Sequence, residues 1–140
     1  MNTQIAEHQE AKCLSEFIDY YEVCNRAEDK SPKTVAWYTA NLKSFNNYLK
    51  SHHLPDTPDR IDIKVLRQYV LYLLKKKKYQ GHPITPEKKE PLSPSSVHGH
   101  VRTLRAFFNW LVAEQLIEVN PAKDLKPPKV FQKVISTLSE

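Results

Sequence analysis

The chain has 140 residues, of which 40% are hydrophobic, so it can fold as one domain with its own core and is not an intrinsically disordered chain. Its formal net charge of +5 is unevenly divided, because residues 1–30 hold three basic and seven acidic residues while the remainder has a net charge of +9. No apolar run reaches transmembrane length, the N-terminus is polar and the two cysteines form no CxxC motif, so we expect a cytoplasmic protein with reduced thiols and no membrane segment.

The first half of the chain predicts two amphipathic helices after a loose lead-in at residues 1–12. Apolar residues at three- and four-residue steps predict a helix from about Leu14 to Arg26. A second helix has a clear start, because Ser31 can cap it and Pro32 suits a first turn that needs no backbone donor. We expect this helix to end near His52, before a loop that contains two prolines.

The second half predicts two more helices, separated by a polar, proline-rich loop. The third helix spans roughly Asp62 to Lys77 and ends in four consecutive lysines. The loop from Tyr79 to Leu92 should be mobile, since few apolar residues anchor it. Ser93 and Pro94 then predict the start of a fourth helix, which should continue to about Gln115.

The scarcity of glycine, with 2 residues, against 10 prolines favours long helices with abrupt ends. No segment shows a convincing strand pattern, so we predict an all-α bundle of four to five helices over residues 13–128. Ala122 to Leu125 should add a short final turn, and residues 129–140 read as a linker.

The fourth helix carries a polar row without an acid. At 100° per residue, Ser95, His98, Arg102, Arg105 and Asn109 fall within a sector of about 80°. Arginine can pair with guanine edges or phosphate, and a major groove admits one helix. A solvated face explains the same row equally well.

The second helix offers a similar but weaker face, and its N-terminus provides free backbone donors for phosphate. Lys33, Ala40, Lys43, Ser44 and Asn47 lie off its apolar stripe. A basic domain attracts polyanions, among which nucleic acid is the commonest, although a basic surface can also be merely soluble. The candidate DNA-binding residues are Lys33, Thr34, Lys43, Ser95, Ser96, His98, Arg102 and Arg105.

Other kinds of site have little support. His98 and His100 are two residues apart, which points them in different directions on a helix, and they lack a cysteine or carboxylate partner for zinc. There is no glycine-rich phosphate loop and no recognisable Ser, His and Asp set. We therefore predict no catalytic residue, no metal and no cofactor, and we expect Trp37 and Trp110 mainly to pack.

Three segments together resemble the tyrosine recombinase, or phage integrase, family. Ser31-Pro32-Lys33-Thr34 with the following Tyr38 resembles the family's S-x-x-T-x-x-x-Y helix. Residues 92–110 (LSPSSVHGHVRTLRAFFNW) resemble its arginine- and phenylalanine-containing helix, and residues 120–129 (NPAKDLKPPK) resemble its N-P-A-x-x-L-x-x-P-K exit. The chain departs from the family at Gly99 and His100, where consecutive basic residues are frequent, and its loop at 79–92 is longer.

The resemblance implies a SAM-like core-binding domain that covers one face of duplex DNA, while a catalytic domain after it covers the other. The family's tyrosine nucleophile and its helpers belong to that following domain, so this fragment should bind DNA without cutting or joining it. The implied partners are double-stranded DNA, the catalytic domain of the same parent chain and further recombinase protomers, as a tetramer in the full protein.

Two other interpretations remain open at this stage. A helix-turn-helix regulator predicts a three- to four-residue turn between two short helices, and no such pair stands out. A helical protein-interaction module predicts an exposed apolar patch and a function that does not depend on Arg102 or Lys33.

Overall fold

A computed structural model describes residues 13–76 and 94–128 of the chain. These ranges contain four α-helices: α1 at Leu14–Ala27, α2 at Pro32–Ser51, α3 at Ile63–Lys75 and α4 at Pro94–Ala113. A 3₁₀ turn at Pro58–Arg60 precedes α3, and the described ranges hold no strand. The predicted all-α class is therefore confirmed. The predictions for residues 1–12, 79–92 and 129–140, and the cap at Ser93, fall outside the described residues.

Side-chain caps fix where the helices begin. The Ser31 Oγ accepts a hydrogen bond of 3.2 Å from the Thr34 amide, and Pro32 follows in the first turn of α2. The Asp62 Oδ1 accepts from the Val65 amide at 3.0 Å and starts α3. The cap at Ser31 confirms the prediction from sequence. Each of the two caps satisfies an amide that the first helical turn leaves without a carbonyl partner.

Left-handed residues fix where three of the helices end. Asp29, His53 and Gln115 have φ angles of 62°, 56° and 62°, and each lies two residues after the last residue of its helix. This is the position at which a helix commonly closes with a left-handed residue, usually glycine. Gln115 is therefore already outside α4, which ends two residues before the predicted boundary.

The core lies between α4 and the other helices. The Phe107 side chain of α4 is fully buried, and its ring lies 5.3 Å from that of Tyr21 in α1. On the α3 side, the rings of Phe45 and Tyr69 meet edge to face at 5.0 Å. The apolar residues that recur at three- and four-residue steps along α4 are all buried: Val97, Val101, Leu104, Phe108 and Leu111. Burying one face of α4 leaves its opposite face to solvent.

The chain after α4 closes one end of the bundle. The Leu125 amide donates to the Ala122 carbonyl at 3.1 Å, and both side chains are buried in the core. The predicted short turn is thus present and contributes apolar surface. Among the described residues, no helix combines the length and the apolar character that crossing a membrane would require.

Candidate nucleic-acid interface

Charge is segregated by helix. The helix α1 carries three acidic side chains and one arginine, whereas α2, α3 and α4 together carry eight basic side chains and no acid. The basic residues of these three helices are Lys33, Lys43, Lys50, Lys64, Arg67, Lys75, Arg102 and Arg105. A positive potential is therefore concentrated on the surfaces of three of the four described helices.

The polar row of α4 lies on the face opposite the core. Ser95, Arg102, Arg105 and Asn109 are exposed, and His98 is half-buried beside them. Within the described ranges, neither arginine has a hydrogen bond or an ion pair with another residue. No acceptor among the described residues therefore occupies either guanidinium group. Ser96 is also exposed at the start of the helix.

The candidate residues of α2 differ in their surroundings. Lys33 and Lys43 are exposed, whereas Thr34 is half-buried and its hydroxyl accepts a hydrogen bond of 2.8 Å from the Ser31 Oγ. Thr34 therefore takes part in the helix cap. Ser44 was expected on the polar face, but its hydroxyl is partly buried and lies 3.0 Å from the Tyr69 hydroxyl of α3.

An aromatic contact joins α2 to α4. A Cβ atom added to Gly99 would lie 2.8 Å from Cζ2 and 3.3 Å from Cη2 of the Trp37 indole. The missing side chain thus allows the indole to rest on the backbone of α4, which is a reason for glycine here that the sequence did not reveal. Trp37 packs as expected, yet 42% of it stays exposed between the two helices.

A chain of hydrogen bonds runs through the same contact. The Asn41 Nδ2 of α2 donates to the Thr103 Oγ1 of α4 at 3.0 Å, and that hydroxyl donates to the Gly99 carbonyl at 3.0 Å. Thr103 is buried, with 1% of its surface exposed. We call this set of four residues (Trp37, Asn41, Gly99 and Thr103) the α2–α4 seam. Lys33 lies one turn before Trp37 and Arg102 one turn after Gly99, so basic side chains flank the seam on both helices.

Buried titratable groups behind these faces stay neutral near pH 7. Burial, followed by the nearby charge of Lys76, lowers the pKa of His100 to about 4. Burial also raises the pKa of the Tyr69 hydroxyl far above its usual value, although the hydrogen bond to Ser44 opposes the shift. In the described ranges, no three histidine, cysteine or carboxylate side chains come together as metal ligands would.

A groove of about 490 Å³ opens between α2 and the end of α3. Polar side chains dominate its lining, and the described lining residues include no acid: Ala40, Lys43, Ser44, Asn47, Tyr48, Ser51, Tyr72 and Lys76. The sequence placed Lys43 on a polar face but gave no reason to pair it with Lys76.

The family of this chain follows from comparison with known protein families. The family model of the phage integrase SAM-like domain matches residues 14–129. The chain belongs to this family. The tyrosine recombinase resemblance noted in the sequence is thereby confirmed, and the helical fold described above is that of the SAM-like domain.

Several curated relatives of this SAM-like domain are recombinases. Tyrosine recombinase XerD of Oceanobacillus iheyensis is 25% identical over 122 residues, and tyrosine recombinase XerC of the same organism is 27% identical over 121 residues. Tyrosine recombinase XerC of Chlorobaculum parvum is 24% identical over 144 residues. The matches cover 87%, 86% and 98% of this chain but only 36%, 34% and 38% of those relatives, so the chain spans about a third of their length.

A solved structure shares the fold of this SAM-like domain. The N-terminal domain of a phage integrase/site-specific recombinase from Haloarcula marismortui matches with a TM-score of 0.62, covering 83% of this chain and 96% of that one. The sequences are 15% identical, so the likeness concerns the fold alone.

Proposed function

We propose that this SAM-like domain binds duplex DNA through α2 and α4 as the core-binding part of a tyrosine recombinase. The observation that carries the proposal is the pair of 20-residue helices without an acid, held together by the α2–α4 seam and flanked by exposed basic side chains. Phosphate contacts supply most of the affinity in such binding, and they require cations on a fixed platform.

The two helices are suited to different parts of a duplex. The row of Arg102 and Arg105 on α4 can reach guanine edges or phosphates in a major groove, because arginine forms bidentate hydrogen bonds with both. The N-terminus of α2, with Lys33 beside it, presents backbone donors and a favourable dipole to a phosphate. A duplex bound by both the α4 row and the N-terminus of α2 would cross the α2–α4 seam.

The recombination chemistry belongs to a following domain in this proposal. The aligned relatives are about three times the length of the match and are named tyrosine recombinases. We propose that the present domain holds DNA for a catalytic domain of the same parent chain and for further protomers, and that it neither cleaves nor rejoins strands by itself. A covalent adduct between this domain alone and DNA would contradict that division.

Fluorescence anisotropy with labelled duplex DNA at low and moderate salt tests the binding. The parent domain should bind weakly and lose affinity steeply as salt rises. Arg102→Gln should weaken binding by about 1–3 kcal/mol if the guanidinium reads a base edge. Arg60→Gln is the matched control, because Arg60 is also exposed but belongs to the 3₁₀ turn and to neither α2 nor α4.

The outcome separates DNA binding from the protein-interaction alternative. Circular dichroism should first show that both variants keep the helical content of the parent. If the folded parent does not bind at low salt, the proposal fails and a helical interaction module becomes the better interpretation. If Arg102→Gln and Arg60→Gln weaken binding equally, α4 is not the contacting helix.

A further inference from the structure

The groove between α2 and α3 has the composition of an anion site. Lys43 and Lys76 line a surface that also includes Asn47 and Tyr72, whose side chains carry amide and hydroxyl donors. The Ser51 hydroxyl at the same surface already donates to the Tyr48 carbonyl at 3.1 Å. No acid lines it among the described residues. Lys43 also lines a neighbouring pocket that contains Glu22 and Asp29. A phosphate group accepts hydrogen bonds from all these donor types.

Lys76, which follows directly after α3, differs from Lys75, the last residue of that helix. Lys75 is exposed and does not line the groove, whereas Lys76 is half-buried and does. The charge of Lys76 also reaches the buried ring of His100 in α4, whose pKa it lowers. Lys76 is therefore packed more closely against the bundle than Lys75.

The groove continues the polar face of α2. Lys43 and Asn47 are one turn apart on the exposed side of that helix, and both line the groove. The α2–α4 seam, with Trp37, lies earlier on the same helix. An anion in the groove would thus lie further along the same helix from the basic residues that flank the seam.

We propose that this groove is a phosphate subsite in which Lys43 and Lys76 together hold a backbone phosphodiester of duplex DNA. The inference rests on the proposed DNA binding and adds a contact from α3 to those from α2 and α4. Within the run of four lysines, Lys76 lines the groove, whereas its neighbour Lys75 does not.

Matched lysine variants test the subsite. Lys43→Gln, Lys76→Gln and Lys75→Gln remove the same charge at three positions, and DNA affinity is measured for each from low to moderate salt. Each lysine that neutralises a phosphate contributes about −0.9 to the slope of log K against log salt. Lys43→Gln and Lys76→Gln should each make the slope shallower by about 0.9, and Lys75→Gln should leave it nearly unchanged. An equal effect of Lys75→Gln and Lys76→Gln would overturn the subsite.

Two further comparisons distinguish a failure of the phosphate subsite from a failure of the proposed DNA binding. If Arg102→Gln weakens DNA binding while Lys43→Gln and Lys76→Gln do not, the subsite is refuted and the proposed function stands. If the parent binds no DNA at low salt, both fail together. Titration with inorganic phosphate, followed by the amide chemical shifts of groove residues, tests whether the groove binds free phosphate instead. If free phosphate saturates the groove while Lys43→Gln and Lys76→Gln leave the salt slope of DNA binding unchanged, the groove is a site for phosphate itself and the assignment to DNA is overturned.

Discussion

Replacing Gly99 by alanine should destabilise the domain, which is the reverse of what this substitution does in most helices. In a helix interior, alanine is more favourable than glycine by about 0.5–1 kcal/mol. Here the new Cβ would lie 2.8 Å from the Trp37 indole, closer than carbon atoms pack. Overpacking of this kind costs about 1–3 kcal/mol, and the half-exposed indole can swing outward, so the cost lies near the lower end. The net loss in the free energy of unfolding should be about 0.5–1 kcal/mol.

A double-mutant cycle isolates the contact. In a Trp37→Ala background nothing meets the added methyl group at that edge, so Gly99→Ala should stabilise the domain by about 0.5–1 kcal/mol. The two backgrounds should therefore differ by about 1–2 kcal/mol in urea unfolding, within the range expected for residues in contact. A Trp110→Phe background leaves Trp37 as the single tryptophan, whose emission should shift to the red when Gly99→Ala displaces the ring. Equal stabilisation by Gly99→Ala with and without Trp37 would refute the reasoning.

Three further perturbations follow from contacts in the structure. Thr103→Val removes both hydrogen bonds of a buried hydroxyl and should cost about 1–2 kcal/mol in urea unfolding, whereas Thr103→Ser should retain most of the stability. The pKa of His100 is about 4 in the folded state and 6.5 ordinarily, so the unfolded state binds more protons between these two pH values. The contribution of His100 to stability should therefore be fully present above about pH 6.5 and fall as the pH approaches 4. His100→Gln should flatten this dependence when unfolding is measured across the pH range. Ser31→Ala should lower the melting temperature through a loss of about 1 kcal/mol at the α2 cap, while Ser31→Asp should not, because aspartate also caps.

The sequence predicts the helices well because their boundaries depend on local chemistry. Ser31, Pro32 and Asp62 act within one turn, and the three- and four-residue spacing of apolar residues determines which face is buried. The exposure of Arg102 and Arg105 follows from the same periodicity. Whether these side chains contact DNA stays a prediction.

Contacts between helices could not be predicted in this way. From the sequence, Gly99 is predicted to destabilise the interior of a helix. Only the packing of α2 against α4 shows that the Trp37 ring fills the space of a side chain there. The sequence predicts Ser44 on the surface, whereas the structure places its hydroxyl within hydrogen-bonding distance of Tyr69 in α3. The pairing of Lys43 with Lys76 depends on how two helices lie side by side, which helical periodicity does not encode.

The acids on α1 and the bases on the other three helices make the charge distribution of the described helices asymmetric. If the domain binds DNA as proposed, this asymmetry favours encounters in which α1 faces away from the polyanion. The effect weakens as salt shortens the Debye length below about 10 Å. Moving one acid from α1 to an exposed site on α4 would leave the net charge unchanged and still slow association.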